Sequence, residues 1–194
     1  MSLPEQIDDY VRAGNTALWV ESHEHEEALA EIMALCKTNQ WVLFSWDAVD
    51  GMQSIGTGVQ TTWTKPAQPE PIPNQTFIDL ETVANARKGV TNTPTAPSTL
   101  LVLRNIHDTM ASNPTLKQRV IKAAFLGRKS RAFVIILSPL VAIPPEMDKL
   151  FTVITHELPT RQQLRKIAKT LATEPGEYPA DAAEEKELLD AATG

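Results

Sequence analysis

The sequence predicts an α/β domain: a parallel five-stranded sheet at the centre of a three-layer arrangement, with helices on both faces. Two observations carry that expectation. Short apolar runs alternate with segments of helical period, the pattern of βα units around a parallel sheet. Four of the five runs are continuously apolar, as expected for strands covered on both faces.

The runs lie at residues 17–20, 41–46, 100–103, 132–137 and 151–158. The last is mixed, with Thr152, Thr155 and His156, and is predicted at a sheet edge. Helices are predicted at 5–13, 22–38, 76–88, 114–126, 160–171 and 181–192. The second begins at a capping residue and carries Ala28, Leu29, Ile32, Met33 and Leu35 at helical spacing. The fourth has Asn113 as cap and Pro114 at its first position, a strong start signal. Residues 47–75 fit less well. Asp50-Gly51 and Gly56/Gly58 signal turns, and 59–63 is predicted as a hairpin strand. Residues 65–73 hold four prolines and read as an extended loop. Residues 91–98 form a second loop of the same kind.

Composition bounds the function. The chain has 194 residues, 42% of them hydrophobic, and a net charge of −6. That length fits one domain with a small appendage, and the acidity argues against a general nucleic-acid binder. Charge is unevenly placed. Residues 111–131 contain Lys117, Arg119, Lys122, Arg128, Lys129 and Arg131 without an acid, whereas 21–31 and 174–190 are acidic. Such asymmetry suits complementary faces, as in a ring subunit, or simply solvated helix faces. Cys36, the single cysteine, reads as a small buried hydrophobe. The start has neither a basic nor an apolar leader segment, and no run reaches the roughly 18 residues of a membrane span. A cytoplasmic location is expected. The stop straight after a helix, at Gly194, suggests a chain cut from a longer one.

Residues 133–171, FVIILSPLVAIPPEMDKLFTVITHELPTRQQLRKIAKTL, resemble the stretch of AAA ATPases from the sensor strand to the lid. Four further segments narrow the resemblance: ALWVESHEHEEAL at 17–29, WVLFSWDAVDGM at 41–52, LLVLRNIH at 100–107 and ILSPLVAIPPEMDK at 136–149. Together they resemble the N-terminal half of a family of conserved plastid and cyanobacterial open-reading-frame AAA proteins. Members of that family join a degenerate ATPase domain to an active C-terminal AAA domain. The resemblance implies a P-loop NTPase-like fold at 1–172, followed at 173–194 by a linker and the first helix of a lid.

A P-loop wraps phosphates with glycine-permitted backbone N–H groups at a helix start, and adds a lysine and a magnesium-holding Ser or Thr. At the corresponding turn stands Glu21-Ser22-His23-Glu24-His25-Glu26-Glu27, with no glycine, no lysine and four carboxylates. These satisfy the helix dipole themselves and repel polyphosphate. The acidic Walker B position aligns with Asn105, beside Arg104, His107 and Asp108. Where an arginine finger is common stands Lys149, without the planar fork. Under the resemblance, Glu21, Ser22, Asn105, His107 and Ser138 are degenerate nucleotide-site positions. The chain itself is then expected to bind no cofactor and to catalyse nothing, ATP and magnesium belonging to the parent protein's C-terminal domain.

Single features admit other readings. His23 and His25 point in different directions on a helix and would not share a metal. His107 falls at the carboxyl edge of the sheet, where open α/β folds bind ligands; it is placed to pair with Asp108 or Glu21, or to cap the following helix. Trp41 and Trp46 read as packing residues. The expected function is a catalytically silent module for oligomerisation or for recognising a protein partner, away from membranes. The alternatives are an ATP-binding and ATP-hydrolysing domain with an unorthodox phosphate site using Arg104 or Lys149, and a nucleic-acid-associated factor using the basic segment 117–131.

Overall fold

The computed structural model describes residues 1–61, 63–86 and 98–157, and beyond them 164–165, 168–169, 172, 178–179 and 181–193. The chain divides into two compact units, Met1–His156 and Glu157–Gly194.

The first unit opens with α1, Leu3–Ala13, whose start is closed by the Ser2 N–H donating to Glu5 Oε2 at 2.8 Å. Gly14 ends it at φ 81°, a left-handed conformation that glycine adopts without strain. Then follow β1 (Ala17–Glu21), α2 (His25–Asn39), β2 (Val42–Asp47), β3 (Gly51–Ile55), α3 (Asn74–Ala86) and β4 (Thr99–Arg104). After them come α4 (His107–Ser112), α5 (Pro114–Ser130), β5 (Ala132–Ser138), a 3₁₀ turn at Pro145–Met147, and β6 (Thr152–Thr155).

The sheet has six strands in the order β3-β2-β4-β5-β1-β6. Every pairing is parallel except β2 with β3. Alternate side chains of the same strands feed two cores. Leu18, Val20, Phe133 and Ile135 face α1 and α2, which contribute Ile7, Val11, Ile32 and Cys36. Trp19, Leu101, Val134 and Ile136 face the other helices, which contribute Leu80, Met110, Val120 and Ala124. Helices α1 and α2 therefore cover one face and α3, α4 and α5 the other, giving the three layers. Burial among the first set pushes the Cys36 thiol up to about 12, as befits a core residue.

The strand count corrects the sequence reading. A sixth, antiparallel strand follows β2 directly, because the turn between them is closed locally. Asp47 Oδ1 accepts from the N–H groups of Val49 and Asp50 at 2.9 and 2.8 Å. Residues 59–61 and 63, expected to form the hairpin strand, form none. Trp63 instead packs edge-on against Phe44, with ring centroids 5.4 Å apart, and donates its indole N–H to Asp79 at 2.9 Å. The proline loop crosses beside this hairpin, and Glu70 uses both carboxylate oxygens to close the start of α3, accepting from Gln75 and Thr76 N–H. As expected, β6 is an edge strand, with Val153 exposed.

Helix α2 starts at His25 rather than at Ser22. The Ser22 N–H extends the sheet ladder by donating to Ser138 O at 2.9 Å, which holds that residue out of the helix. Helix α5 starts as expected, with Asn113 Oδ1 accepting the Leu116 N–H at 3.0 Å, but runs on to Ser130. The helix expected at 160–171 and the loop at 91–97 fall outside the described residues, apart from isolated positions. In the second unit, Ala182–Thr193 forms α6, started by Asp181 Oδ1 accepting the Ala183 N–H at 3.0 Å. No helix among the described residues is long and apolar enough to cross a membrane.

Gly127 allows α5 to lie against the strand it feeds. A Cβ there would stand 2.1 Å from Ala132 O and 3.2 Å from the Thr16 side chain. Overpacking of this kind costs about 1–3 kcal/mol. Gly127→Ala is expected to lower the unfolding free energy obtained from urea titration by at least that cost. Gly56→Ala, where a Cβ meets nothing within 4 Å, is expected to leave it unchanged.

Candidate functional site

Open parallel sheets bind ligands at the carboxyl ends of their strands, where chain connections leave in opposite directions. Here β1 is such a strand. Its outgoing connection leads to β2, beyond β5 and β4, whereas β6 pairs on its other side. The turn after β1 is only Ser22-His23-Glu24.

This turn is closed from within. Ser22 is buried, and its hydroxyl accepts the Glu24 N–H at 3.1 Å and lies 2.8 Å from Nδ1 of His156. His156 follows β6, and its own N–H donates to Glu21 O at 2.8 Å. Its Nε2 points toward Glu31 of α2, at 3.9 Å. Serine, histidine and carboxylate thus stand in the order of a hydrolytic triad. Yet the serine is 3% exposed and its oxygen is already shared between two partners, which leaves no approach for a substrate. The arrangement ties β6, β1 and the start of α2 together.

The neighbouring positions are similarly engaged. Ser138 is fully buried; its hydroxyl donates to Leu140 O and accepts from the Trp19 indole N–H at 3.1 Å. Asn105 is exposed at φ 52°, in the left-handed region that asparagine tolerates, and its N–H donates to Leu137 O at 3.0 Å. Arg104 reaches across to Glu26 of α2, 2.6 Å away. Glu21 ends β1, with its carboxylate 3.4 Å from the Thr155 hydroxyl. Thus Glu21, Ser22 and Ser138 are brought together at the ends of β1 and β5, with Asn105 tied to β5 from β4.

His107 lies buried in the first turn of α4. Its Nε2 is 3.6 Å from Asp108, too far for a hydrogen bond, and its Nδ1 has no partner among the described residues. His25 stands in the first turn of α2 with a buried Nε2 that has no partner among the described residues. Burial holds its pKa below the ordinary value, and the positive charge of Arg104 adds to that. Among the described residues, no group of three or more His, Cys, Asp or Glu side chains could hold a metal ion.

The six basic residues differ in their surroundings. Lys117 pairs with Glu146 at 3.0 Å. Arg131 is half-buried, donates to Ser98 Oγ and Val11 O, and stacks over Phe133 at 5.5 Å. Arg128 and Lys129 are exposed in the last turn of α5, where cations suit the helix dipole. Arg119 and Lys122 line a groove between α5 and α3. Sequence reasoning missed His156 as a partner of Ser22. The two are 134 positions apart, and only the pairing of β6 beside β1 brings them together.

The sheet order, the three layers and a helix rising from the end of β1 define an AAA-type α/β ATPase fold. Residues 3–156 match the family described as SpoVK-like AAA ATPase, N-terminal domain, and the chain belongs to that family. No curated protein matches it. Among the solved structures that share the fold are the following two. A chain in the E. coli MS115-1 HORMA:CdnC:Trip13 complex aligns with a TM-score of 0.55 at 12% identity, over 96% of this chain and 62% of that one. A DNA replication initiation factor aligns with a TM-score of 0.55 at 11% identity, over 97% of this chain and 54% of that one. This chain therefore spans little more than half the length of either.

Two outcomes test the closed turn. Ser22→Ala leaves the Glu24 N–H and His156 Nδ1 without their partner, and is expected to destabilise the fold by about 1–3 kcal/mol in urea titration. For His25, the folded pKa is depressed, so the unfolded chain takes up its proton first as pH falls. Stability from this group is present above the unfolded value near 6.5 and is lost as pH drops through the folded value. His25→Gln should therefore lose less stability than the parent protein between pH 7 and 5.

Proposed function

We propose that this chain is the catalytically silent N-terminal domain of a larger AAA ATPase, serving oligomer contacts or recognition of a protein partner. The observation that carries the reading is the turn after β1. Its Ser22 and Glu24 N–H groups and its one hydroxyl are already bonded within the protein. Phosphate binding at a helix start needs free N–H groups and permits no ring of carboxylates. Here Glu24, Glu26 and Glu27 surround that start. The residues present do not fit ATP and magnesium in the usual mode, and no chemical step is assigned to them.

The other elements of this reading agree with one another. Asn105 occupies the place where an acidic residue would hold magnesium, and an amide carries no charge to do so. Arg104, one of the two cations that an unorthodox phosphate site could use, pairs with Glu26. Kinship with the plastid and cyanobacterial open-reading-frame AAA proteins belongs to the same proposal, as does a cytoplasmic location. So does an active AAA domain following in the parent protein, to which ATP and magnesium belong. A domain retaining an ATPase scaffold with a blocked phosphate turn is suited to transmitting contacts rather than performing hydrolysis.

Isothermal titration of the chain with ATP and magnesium tests the reading. Neither heat of binding nor phosphate release is expected at millimolar nucleotide. Micromolar binding with turnover would overturn it. Thermal stabilisation by nucleotide that disappears in Arg104→Ala or Lys149→Ala would establish the unorthodox phosphate site instead.

A further inference from the structure

A groove runs between α3 and α5. Phe77, Leu80 and Leu126 give it apolar lining, and it encloses about 440 Å³ including its open mouth. Ile78 on its α3 side is 46% exposed, and Phe125, three residues beyond Lys122 on α5, is 57% exposed. Neither is needed to complete the core beneath.

Charge separates this groove from an ordinary apolar cleft. Arg119 and Lys122, at i and i+3, share its α5 side. Neither makes an ion pair among the described residues. The Nε–H of Arg119 is buried and has no hydrogen-bond partner among the described residues. Among the described residues Glu81 is the one carboxylate lining the groove, set against the two cations Arg119 and Lys122.

Two helices lying side by side present ridges and a groove into which a third helix can pack. An amphipathic helix laid in such a groove buries its apolar stripe and brings its polar flanks to the rim. We infer that the α3–α5 groove is the docking site for an acidic amphipathic helix of a partner protein, whose leucine-type side chains enter between Phe77 and Leu126 and whose carboxylates meet Arg119 and Lys122. Charge complementarity sets the choice of occupant. A nucleic acid would need a continuous cationic track, and Lys117 and Arg131 are already committed elsewhere. The inference rests on the partner-recognition reading and deepens it by naming the surface and the chemistry.

Fluorescence anisotropy on the full chain tests it with two fluorescein-labelled peptides of about 18 residues, long enough to hold a helix. Both carry leucines at i, i+3, i+4 and i+7; the remaining positions are mostly glutamate in one and lysine in the other. The glutamate peptide is expected to bind at least about fivefold tighter, a preference lost in Arg119→Gln/Lys122→Gln. Ile78→Ser is expected to weaken it without changing the charge preference. Arg128→Gln, outside the groove, is expected to change nothing and controls for general charge. Equal binding of the two peptides, preference for the lysine peptide, or no binding of either would overturn the proposal. Tighter binding of a labelled single-stranded oligonucleotide, dependent on the same two cations, would overturn it in favour of a nucleic-acid surface. Peptide failure alongside absent MgATP binding would remove the groove proposal and leave the silent-domain reading standing, whereas MgATP turnover would remove that reading by itself.

Discussion

All seven residues of β5 are buried, and this strand lies hydrogen-bonded between β4 and β1. A backbone placed where water cannot reach must find its partners inside the protein. The two ladders of β5 meet that requirement, and they dictate much else. Both faces of the strand must be apolar, and both must be covered by helices. Gly127 is one consequence, since α5 has to approach β5 closely before feeding it. Thr16 is another; its hydroxyl donates to Ala124 O beneath the same crossing. The order of the central strands follows from this double coverage, and the edges are left to β3 and β6.

The same constraint reaches the carboxyl end of the sheet. There the ladder runs past the last strand residues, through the Ser22 N–H on Ser138 O and the Asn105 N–H on Leu137 O. A phosphate-binding turn needs its backbone donors aimed outward. This turn aims them inward, at neighbouring strands and at the Ser22 hydroxyl. His156 completes the closure from the edge strand. The turn after β1 is thus a joint between β1, β6 and the start of α2. The proposed partner surface accordingly lies elsewhere, on the helical layer formed by α3 and α5.

Much of the fold was legible in the residues because long apolar runs and helix signals act locally. The runs at 100–103 and 132–137 are β4 and β5 to within a residue or so at each end, and Asn113-Pro114 marks the start of α5. The mixed run with Thr152 and Thr155 was legible as an edge for the same reason. The hairpin was not. Periodicity in 51–55 is weak, and Val59 and Trp63 offer a better β pattern without a strand to pair with. A turn of a few residues, held by Asp47, won over propensity. The candidate site was legible only in outline: an absent glycine and lysine can be read directly, but a hydroxyl already occupied cannot.

By itself, then, the sequence determined the class of the molecule, its layered sheet and the chemical character of the turn after β1. Those properties depend on residue type and on spacing over a few positions. Only the tertiary structure decided what the side chains do. It separated Arg131, held against Ser98 and Phe133, from Arg119, which lines the α3–α5 groove, although both belong to one basic segment. It joined Ser22 to His156 by setting β6 beside β1. The physical reason is common to both. A partner's identity is fixed by which elements pack together in space, and separation along the chain carries no record of it.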